Sequence, residues 1–422
     1  MIVRRLVLAS GRWFRRLMAR RSRFPRFVNA SIDWVAENPM SPLGRLAVRS
    51  YGNYQASDIP AALSAPGDQS EGGAEVLIGP TNYAGQGFLW ARAVEAFSRE
   101  SLAAAISARN LAVEEPAGFS FPADREVPVA VYHRSREWQA AQFAAARTFT
   151  HVLYEAERPM FGRLFGRDVA KEIAALDGLS IAMMCHGTDI RLPSRHQDLT
   201  PWSPFRDPGL YLDKLERDAA RNRELLDSLA RPVFVSTPDL LLDVPYATWC
   251  PVVVSPERWV TDATAGGRER PIVVHIPSRA AVKGSHLVEP VIDRLAERGE
   301  VEFVTARDVR AARMPELYRN ADIVLDQFRL GSYGVAACEA MAAGRVVVGH
   351  VAEPVRAHVR AATGLDLPIV EATPDTVADA IRSLIADRVE MQAIGRRGVE
   401  FVSRVHDGQL SARLLVEGWI GR

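Results

Sequence analysis

Two absences in this 422-residue sequence narrow its class before any motif is considered. The chain contains only three cysteines, Cys185, Cys250 and Cys338. Their odd number and wide spacing argue against disulfides and against a zinc site. No apolar run approaches the ~20 residues that a helix needs to span a bilayer, so we expect a soluble or peripheral protein. A reducing cytosol is the simplest location for such a chain.

The chain also lacks an excess of charge of either sign. Its 52 Lys and Arg residues nearly balance its 51 Asp and Glu residues, which excludes a general attraction to nucleic acid. Hydrophobic residues make up 48% of the chain and charged residues 24%, which is the composition of a globular protein. Because the length exceeds that of one ordinary domain, we predict two domains, each with its own core.

The overall balance hides one strongly basic stretch at the N-terminus. Residues 1–28 hold nine arginines and no acid, with apolar residues such as Trp13 and Phe14 between them. This composition is typical of a helix that lies on an anionic membrane surface, and a mobile arginine-rich tail is the alternative. We predict that residues 1–74 are a basic segment and connector, and that the protein lies at the inner face of the membrane if residues 1–28 dock there. No module that reads nucleic acid is recognisable.

The most informative stretch, residues 321–348, combines a short strand, a glycine turn, a helix and a second strand. Gly331 and Gly334 lie in the turn, where the backbone can approach a ligand closely. Amides at the start of the helix would face an anion above the strand ends. Glu339, on the second helical turn, could accept hydrogen bonds from two adjacent hydroxyls of a ribose. The pattern predicts a site for a nucleoside diphosphate, and an ordinary α/β unit with a surface glutamate is the alternative.

These residues resemble the C-terminal half of the retaining GT-B glycosyltransferases of the family 4 type, whose helix reads G-x-x-x-x-E-A-M-A-x-G. In this chain the helix reads GVAACEAMAAG from Gly334 to Gly344. The resemblance implies that Glu339 binds the ribose of a sugar nucleotide.

The family usually has a second glutamate eight positions earlier, where it contacts the donor sugar. This chain has Gly331 at that position. We therefore expect Asp326, or the backbone amides of Ser332 and Tyr333, to hold the sugar hydroxyls instead.

A polar turn with two cations follows the strand-like residues 271–276. The resemblance implies that an arginine and a lysine in this turn grip the donor diphosphate, the lysine standing directly before a glycine. Lys283-Gly284 matches, and Arg279 is the candidate arginine, although the family usually has it one residue earlier, where this chain has Ser278. Positive charge is needed there because negative charge develops on the diphosphate as it leaves. Solvated surface cations are the alternative.

A second motif, His-Gly-Thr-Asp from His186 to Asp189, follows an apolar strand directly. The carboxyl ends of strands are where open α/β sheets bind ligands. The same four residues occur in N-acetylglucosaminyl-malate synthases. The resemblance implies that His186 faces the donor sugar across the cleft and that Asp189 and Arg191 shape the loop. A structural histidine held by a backbone hydrogen bond is the alternative.

The first strand of the domain, residues 76–80, is followed by a glycine loop with Gly85, Gln86 and Gly87. In GT-B enzymes this loop contacts the acceptor and the donor phosphate, and we expect the same here. A tight turn without ligand is the alternative. Further strands are predicted at residues 127–132, 148–154 and 233–236, and an exposed connector at 50–73.

The combined prediction is an α/β protein of the GT-B class, with two Rossmann-like domains facing a cleft. We place the N-terminal, acceptor-side domain at 75–252, with the helix at 408–422 returning to it, and the sugar-nucleotide domain at 270–407. The expected activity is transfer of a sugar from a nucleoside diphosphate sugar to a hydroxyl, with retention of configuration. The acceptor is an unidentified hydroxyl compound, for which a lipid-linked or polysaccharide precursor is one candidate.

No cofactor is expected besides the sugar nucleotide, which is a substrate. The sequence has no Asp-x-Asp motif, so we do not expect a tightly held catalytic metal. Two other functions stay open from the sequence. One is a weakly active relative that binds a sugar nucleotide or a protein partner, which the glycine at position 331 would favour. The other is a sugar nucleotide epimerase.

Overall fold

A computed structural model describes residues 21–38, 41–67, 73–101, 105–114, 121–207, 210–307 and 309–422. Two parallel sheets organise these residues, one with seven strands and one with five. Helices cover the sheets, so the predicted α/β class with two Rossmann-like units is confirmed. The domain limits of 75–252 and 270–407 stay predictions.

The first sheet has the strand order β3-β2-β1-β4-β5-β6-β7. Its strands are β1 Ala74–Gly79, β2 Ile106–Val113, β3 Arg125–Val127, β4 His151–Glu155, β5 Ser180–Cys185, β6 Val233–Val235 and β7 Thr248–Trp249. All neighbours pair in parallel, and β1, β4 and β5 are buried along nearly their whole length. Their carboxyl ends therefore meet at one edge, where the loops after β1, β4 and β5 lie side by side.

The second sheet has the order β12-β11-β10-β8-β9. Its strands are β8 Ile272–His275, β9 Glu302–Thr305, β10 Ile323–Leu325, β11 Val346–Gly349 and β12 Ile369–Glu371. The parallel pairing of β10 with β8 brings residues 276–284 and 326–334 together at the carboxyl edge of this sheet. The predicted ligand turn thus lies beside the predicted cation turn.

The helices in the described ranges alternate with the strands, as the sequence indicated. They are α1 Arg26–Glu37, α2 Pro42–Ala47, α3 Gln86–Ser101, α4 Val129–Arg134, α5 Arg136–Ala146, α6 Val169–Ala175, α7 Pro193–Leu199, α8 Leu212–Leu229, α9 Ala280–Lys283, α10 Ser285–Glu297, α11 Met314–Arg319, α12 Val335–Ala342, α13 Glu353–Thr363, α14 Val377–Ala386, α15 Arg388–Val405 and α16 Gln409–Leu415. None of them is long and apolar enough to cross a bilayer.

The C-terminal helix returns to the first sheet, as predicted. After α15, helix α16 continues into a short π-helix, Val416–Ile420. Leu415 and Trp419 are buried in one cluster with Ile78 and Trp90, and the Trp419 ring lies 5.3 Å from that of His151. Burying two large apolar side chains gives this return several kcal/mol of favourable transfer free energy.

The N-terminal segment packs on the first domain through charge. Arg21 is buried and its guanidinium lies 2.6 Å from Asp33, which also accepts hydrogen bonds from Tyr211 and Arg217 of the first domain. Burial alone would raise the pKa of Asp33, but the bonds from Arg21 and Tyr211 lower it. Arg21 is therefore not one of the cations available to a membrane surface. The other predicted features of residues 1–20 lie outside the described residues.

One local prediction is wrong and a second holds only in part. A strand was expected at 127–132, but β3 ends at Val127 and α4 begins at Val129, because Pro128 has no N–H to continue the ladder and its φ suits a helix start. The exposed connector predicted at 50–73 is not exposed throughout. Leu63 is buried, and its backbone N–H and C=O are both bonded to the Gln142 side chain at 2.8 and 3.0 Å.

Candidate active site

The second sheet presents a paired cation at its carboxyl edge. Lys283 ends the short helix after β8, and Asp326 directly follows β10. The Lys283 Nζ atom lies 2.7 Å from Asp326 Oδ1, and Asp326 is only 4% exposed. Asp326 thus orients the ammonium group before any ligand arrives. The contact with sugar hydroxyls that we expected for Asp326 stays a prediction.

Glu339 lies in the second turn of α12 and is half-buried. Its carboxylate accepts no hydrogen bond from the described residues. Burial raises the pKa of Glu339 to about 7, and the charges of Arg258 and Lys283 act in the opposite direction. A carboxylate with unused acceptor capacity in a partly dry site is suited to bind neighbouring hydroxyls.

The first turn of α12 offers free backbone donors. Among the described residues, no atom accepts a hydrogen bond from the backbone N–H groups of Gly334, Val335 or Ala336. A Cβ atom added at Gly334 would meet nothing within 4 Å, so the space in front of this turn is open. Free amides together with the helix dipole favour an anion at this place.

Arg279 lies on the exposed side of the same turn. Its carbonyl accepts the Lys283 amide at 2.9 Å, which holds the turn. Its side chain forms no ion pair with the described residues and is exposed. The guanidinium is therefore available to an incoming diphosphate.

Gly331 does not lie in open space. Its φ is +64°, and a Cβ atom there would come 3.2 Å from the Ala352 Cβ and 3.7 Å from Leu199, which belongs to α7 of the other domain. The backbone also closes this site, since the Gly331 carbonyl accepts the Ala352 amide. A side chain at this position would press against Ala352 and would adopt a positive φ that favours glycine.

The side chains of Ser332 and Tyr333 form hydrogen bonds to other protein side chains and do not face a ligand space. Ser332 Oγ donates to Asp239 Oδ1 at 2.5 Å, across the domain interface. The buried Tyr333 hydroxyl lies 3.3 Å from His406 Nε2, whose other ring nitrogen bonds to the Val252 carbonyl. Of these two residues, only the backbone amides can contribute to a donor site.

The interface around this loop is polar and well connected. Arg329, 4% exposed, forms two bonds of 2.7 Å to Asp207 and donates to the carbonyls of Trp202 and Ser203. His196 Nε2 bonds to the Leu330 carbonyl at 3.1 Å. Through these contacts the N-terminal domain holds the loop after β10 in place.

His186 lies at the carboxyl end of β5 against three side chains. Its ring stacks on Trp90 at 5.7 Å, meets the edge of Tyr83 at 5.2 Å, and its Nε2 lies 3.2 Å from Glu155 Oε1 without the geometry of a hydrogen bond. Glu155 is fully buried. Burial raises the pKa of Glu155, and contacts with His186 and Thr81 oppose that shift.

Asp189 shapes the loop that carries His186. Its two oxygens accept the amides of His186 at 2.8 Å and Gly187 at 2.5 Å. Arg191 is buried and bonds to Asp239 at 3.1 and 2.5 Å. Since Asp239 also binds Ser332, the histidine loop is linked to the other domain.

The glycine loop after β1 is more enclosed than expected. A Cβ atom at Gly87 would lie 2.4 Å from Asn110 Nδ2, and Phe121 covers Gly85 at 3.3 Å. The side-chain amide of Gln86 donates to the Val253 carbonyl at 2.9 Å and accepts the Val253 backbone N–H at 2.6 Å. Packing in the folded protein is therefore sufficient to explain why glycine occupies positions 85 and 87 and glutamine occupies position 86. The expected contact with phosphate or acceptor stays a prediction.

The described residues contain one group of side chains of the kinds that bind metal ions. It consists of Glu157, Cys185 and Asp189, whose possible ligand atoms lie within 4.8 Å of one another. Cys185 Sγ donates to Glu157 Oε1 at 3.2 Å. Burial and the nearby Asp189 raise the pKa of Glu157 well above its usual range. The group is thus held by its own hydrogen bonds. The expectation that no metal is required stays a prediction.

Sequence reasoning missed Glu155, although its signal was present. The residue ends β4, next to the strand that leads into His186, so the strand-end rule applied to His186 would have selected it too. Arg258, whose charge acts on Glu339, had no such signal because it belongs to the linker between the sheets.

Comparisons with known proteins agree with this architecture. Residues 270–387 match the protein family described as glycosyl transferases group 1. No curated protein sequence matches the chain.

Solved structures share the fold at low sequence identity. An alpha-glucosyltransferase in complex with UDP-glucose and DNA containing an abasic site has a TM-score of 0.52 and 11% identity, covering 82% of this chain and 99% of that chain. Sucrose-phosphate synthase from Thermosynechococcus elongatus has a TM-score of 0.49 and 12% identity, covering 81% and 97%. WaaG, a glycosyltransferase involved in lipopolysaccharide biosynthesis, has a TM-score of 0.45 and 12% identity, covering 82% and 99%.

At this sequence identity, similarity to a solved structure shows the fold alone. The fold assignment rests on the first of the three structures, whose TM-score is 0.52. The chain has a GT-B fold whose second sheet belongs to a segment that matches the glycosyl transferases group 1.

Proposed function

We propose that this protein is a retaining glycosyltransferase of the family 4 type that takes a sugar from a nucleoside diphosphate sugar. The observation that carries the proposal is that Lys283, Glu339 and the unbonded amides at the start of α12 lie at one edge of the second sheet, where the charge of Lys283 acts on Glu339 and the space beside Gly334 is open. It lies within the segment that matches the glycosyltransferase family. A cation, helix amides and an unbonded carboxylate together suit a diphosphate attached to a ribose.

Each group has a distinct part in the proposed mechanism. Glu339 accepts hydrogen bonds from the ribose hydroxyls, while the amides of Gly334 and its neighbours bind the diphosphate. Lys283 and Arg279 stabilise the negative charge that grows on the diphosphate as the bond to the sugar breaks. Asp326 holds Lys283 in position for that contact.

Transfer with retention requires the acceptor hydroxyl to attack the face from which the diphosphate leaves. The departing phosphate oxygen then takes the proton of the acceptor. In this proposal His186 faces the sugar from the first domain, backed by Trp90 and Glu155. The polar contacts between the domains favour a closed cleft, which excludes water that would hydrolyse the donor.

The test is binding followed by turnover. We would screen nucleoside diphosphates by thermal shift, UDP first because the GT-B relative was solved with UDP-glucose. A ligand at 100 times its Kd should add about 2.7 kcal/mol of apparent stability. Donor consumption without acceptor then separates the functions. Slow release of unchanged sugar supports a transferase, release of an altered sugar supports an epimerase, and absence of both binding and release contradicts the proposal.

We also propose that the protein docks on an anionic membrane. The N-terminal helices expose large apolar side chains: Phe27 at 73%, Trp34 at 50%, Leu43 at 57% and Leu46 at 58%. Exposed arginines lie on the same segment, namely Arg26 on α1, Arg45 on α2 and Arg49 directly after α2. Apolar side chains together with cations suit the interface of an anionic bilayer. A lipid-linked or polysaccharide precursor as acceptor would be consistent with that location.

A further inference from the structure

Two side chains at the carboxyl edge of the first sheet are buried without the hydrogen bonds that burial normally requires. Glu155 is the last residue of β4 and His186 directly follows β5, so they lie on neighbouring strands. Glu155 is 0% exposed, yet neither of its carboxyl oxygens is bonded within the described part of the chain. Nε2 of His186 is buried without a bond as well, 3.2 Å from Glu155 Oε1. We call these two residues the Glu155–His186 pair.

Other buried histidines show what a purely structural role looks like in this protein. In His196, His275 and His406 both ring nitrogens have a partner, and one partner of each is a backbone carbonyl. Neither ring nitrogen of His186 bonds to the backbone of any described residue. The alternative that the sequence left open, a structural histidine held by a backbone hydrogen bond, therefore does not describe His186.

Glu172 provides the same comparison for the carboxyl group. It is fully buried too, and it accepts the amides of Met160 at 2.7 Å and Phe161 at 3.3 Å. Burial raises the pKa of Glu155, and only the contacts with His186 and Thr81 oppose that shift. Because a buried carboxylate without a donor is costly, Glu155 needs one of these two groups as its partner.

Packing holds the two side chains of the pair at this distance. The His186 ring stacks on Trp90 at 5.7 Å and meets the edge of Tyr83 at 5.2 Å. On the carboxyl side, a Cβ atom at Gly87 would come 3.0 Å from Glu155 Oε2, so a larger residue there would displace the carboxyl group. Since Nε2 and Oε1 are already at hydrogen-bond distance, alignment of the ring is all that the bond requires.

A bond at Nε2 determines what the other ring nitrogen can do. A neutral imidazole carries one proton, and its two nitrogens point to different sides of the ring. With that proton on Nε2 and directed at Glu155, Nδ1 becomes a hydrogen-bond acceptor. The His186 side chain is 9% exposed, and since Nε2 is buried, the exposed part lies elsewhere on the ring. Nδ1 has no partner among the residues that the structure describes, so a ligand hydroxyl can donate to it.

From these contacts we infer that Glu155 is a positioning residue for His186. It accepts the Nε2–H group and thereby directs the Nδ1 lone pair toward a hydroxyl of the sugar that is transferred. The sugar in this inference rests on the proposed function, whereas the Glu155–His186 pair itself does not. Glu155 acts only through the ring that it holds, because it is fully buried and contacts no ligand space of its own.

NMR spectroscopy of the full-length protein, isotope-labelled in its histidines and without ligand, tests the pair. An imidazole N–H bonded to a carboxylate gives a proton resonance at low field that exchanges slowly with water. His186→Gln assigns this resonance. Glu155→Met removes the carboxylate at similar length, and Glu155→Gln is a second variant that keeps the shape. The matched control is Glu75→Met, because Glu75 is 3% exposed with both oxygens unbonded but lies near the start of β1, at the opposite edge of the sheet.

We expect a low-field proton on Nε2 of His186 in the unchanged protein and in Glu75→Met. Glu155→Met should lose it, and Glu155→Gln should shift it to higher field because a neutral amide is a weaker acceptor than a carboxylate. Absence of this proton from the unchanged protein, its attachment to Nδ1, or its survival unaltered in both Glu155 variants would overturn the inference. These outcomes do not depend on whether the protein transfers a sugar.

Turnover measurements test the connection with the sugar. Glu155→Met should lower kcat about tenfold or more, since a misdirected ring loses its contact with the sugar, while the affinity for UDP, which has no sugar, stays unchanged. In the His186→Gln background the same change should have no further effect, because a positioning residue acts only through the group it holds. Equal losses in both backgrounds would refute the role of Glu155. Failure of nucleotides to bind the unchanged protein would instead overturn the proposed function.

Discussion

Glu339 is half-buried, and no described residue bonds to its carboxylate, so a bound ribose would supply its missing partners. We expect Glu339→Ala to weaken nucleoside diphosphate binding by about 1.5 to 3 kcal/mol, the scale of hydrogen bonds to a charged group. Calorimetry measures this directly. The matched control is Glu353→Ala, an exposed glutamate in the first turn of α13. Unchanged affinity in a folded Glu339→Ala protein would remove the ribose assignment.

The same residue predicts a pH dependence of binding. Because burial raises the pKa of Glu339 to about 7, the carboxyl becomes protonated in the free protein as the pH falls below that value. The ionised form is the better acceptor, so nucleotide affinity should fall as the pH drops through about 7 and should level off in Glu339→Gln.

Lys283 and Arg279 are predicted to act more on the transition state than on the bound substrate. Negative charge on the diphosphate grows as the sugar leaves, so Lys283→Ala should lower kcat by more than it lowers donor affinity, and Arg279→Ala should do the same. Steady-state kinetics and calorimetry on the same proteins give the two numbers. Lys214→Ala, which breaks a surface ion pair on α8, is the control. Equal losses in binding and turnover would show that the cations only bind.

The change Gly331→Glu tests whether position 331 can hold the glutamate that the resemblance led us to expect. Its φ of +64° and the 3.2 Å approach of Ala352 predict that Gly331→Glu destabilises the fold by at least about 1 to 2 kcal/mol and does not raise activity. Urea unfolding measures the loss. Gly334→Ala is the control, because its φ is −148° and its Cβ would be free of contacts. A stable and more active Gly331→Glu protein would show that this loop is open.

At the scale of single elements, the loop after β4 depends on a buried carboxyl group. Burial raises the pKa of Glu172 from 4.5 to about 8 in the folded protein. The folded state therefore holds this proton more tightly than the unfolded chain, and stability should decline as the pH rises from 4.5 through about 8.

We expect Glu172→Gln to remove most of that decline, which amounts to a few kcal/mol. Unfolding free energies measured across this window test it. Glu137→Gln, on the exposed side of α5, should keep the decline of the unchanged protein. A Glu172→Gln protein that loses stability in parallel with the unchanged protein would assign the pH dependence to another group.

For the whole molecule, the N-terminal region is predicted to set location and not chemistry. Removal of residues 1–20 keeps Arg21 and its ion pair with Asp33, so the fold should survive. The shortened chain should keep activity on a soluble acceptor and bind anionic vesicles more weakly at low salt, by about 1 kcal/mol for each basic residue lost near the surface.

Phe27→Ser with Trp34→Ser should weaken vesicle binding further, since both side chains are exposed. Tyr246→Ser, an exposed aromatic of the first domain outside this region, is the control. Vesicle co-sedimentation that does not change with any of these alterations would reject the membrane surface while leaving the transferase proposal intact.

Much of the architecture followed from local pattern. The apolar runs of β5, β8, β10 and β11 and the amphipathic stretches between them predicted alternating strands and helices, because burial on both faces of a parallel sheet requires such runs. β2 was missed, since its sequence ISARNLAV carries polar residues that the fold satisfies internally, as where Asn110 donates to the Ile78 carbonyl. The wrong strand at 127–132 came from apolar residues whose backbone Pro128 turns into a helix.

The sequence by itself determined the alternation of strands and helices in most of the chain, the GT-B class through its motifs, and the places of Lys283 and Glu339 at strand and helix ends, because each depends on neighbours along the chain. Only the tertiary structure decided which groups meet. The pairing of Lys283 with Asp326, the bond of Ser332 to Asp239 and the contact of Gly331 with Ala352 all join residues distant in sequence. Local composition cannot encode such contacts, since they depend on how two sheets and an N-terminal segment pack together.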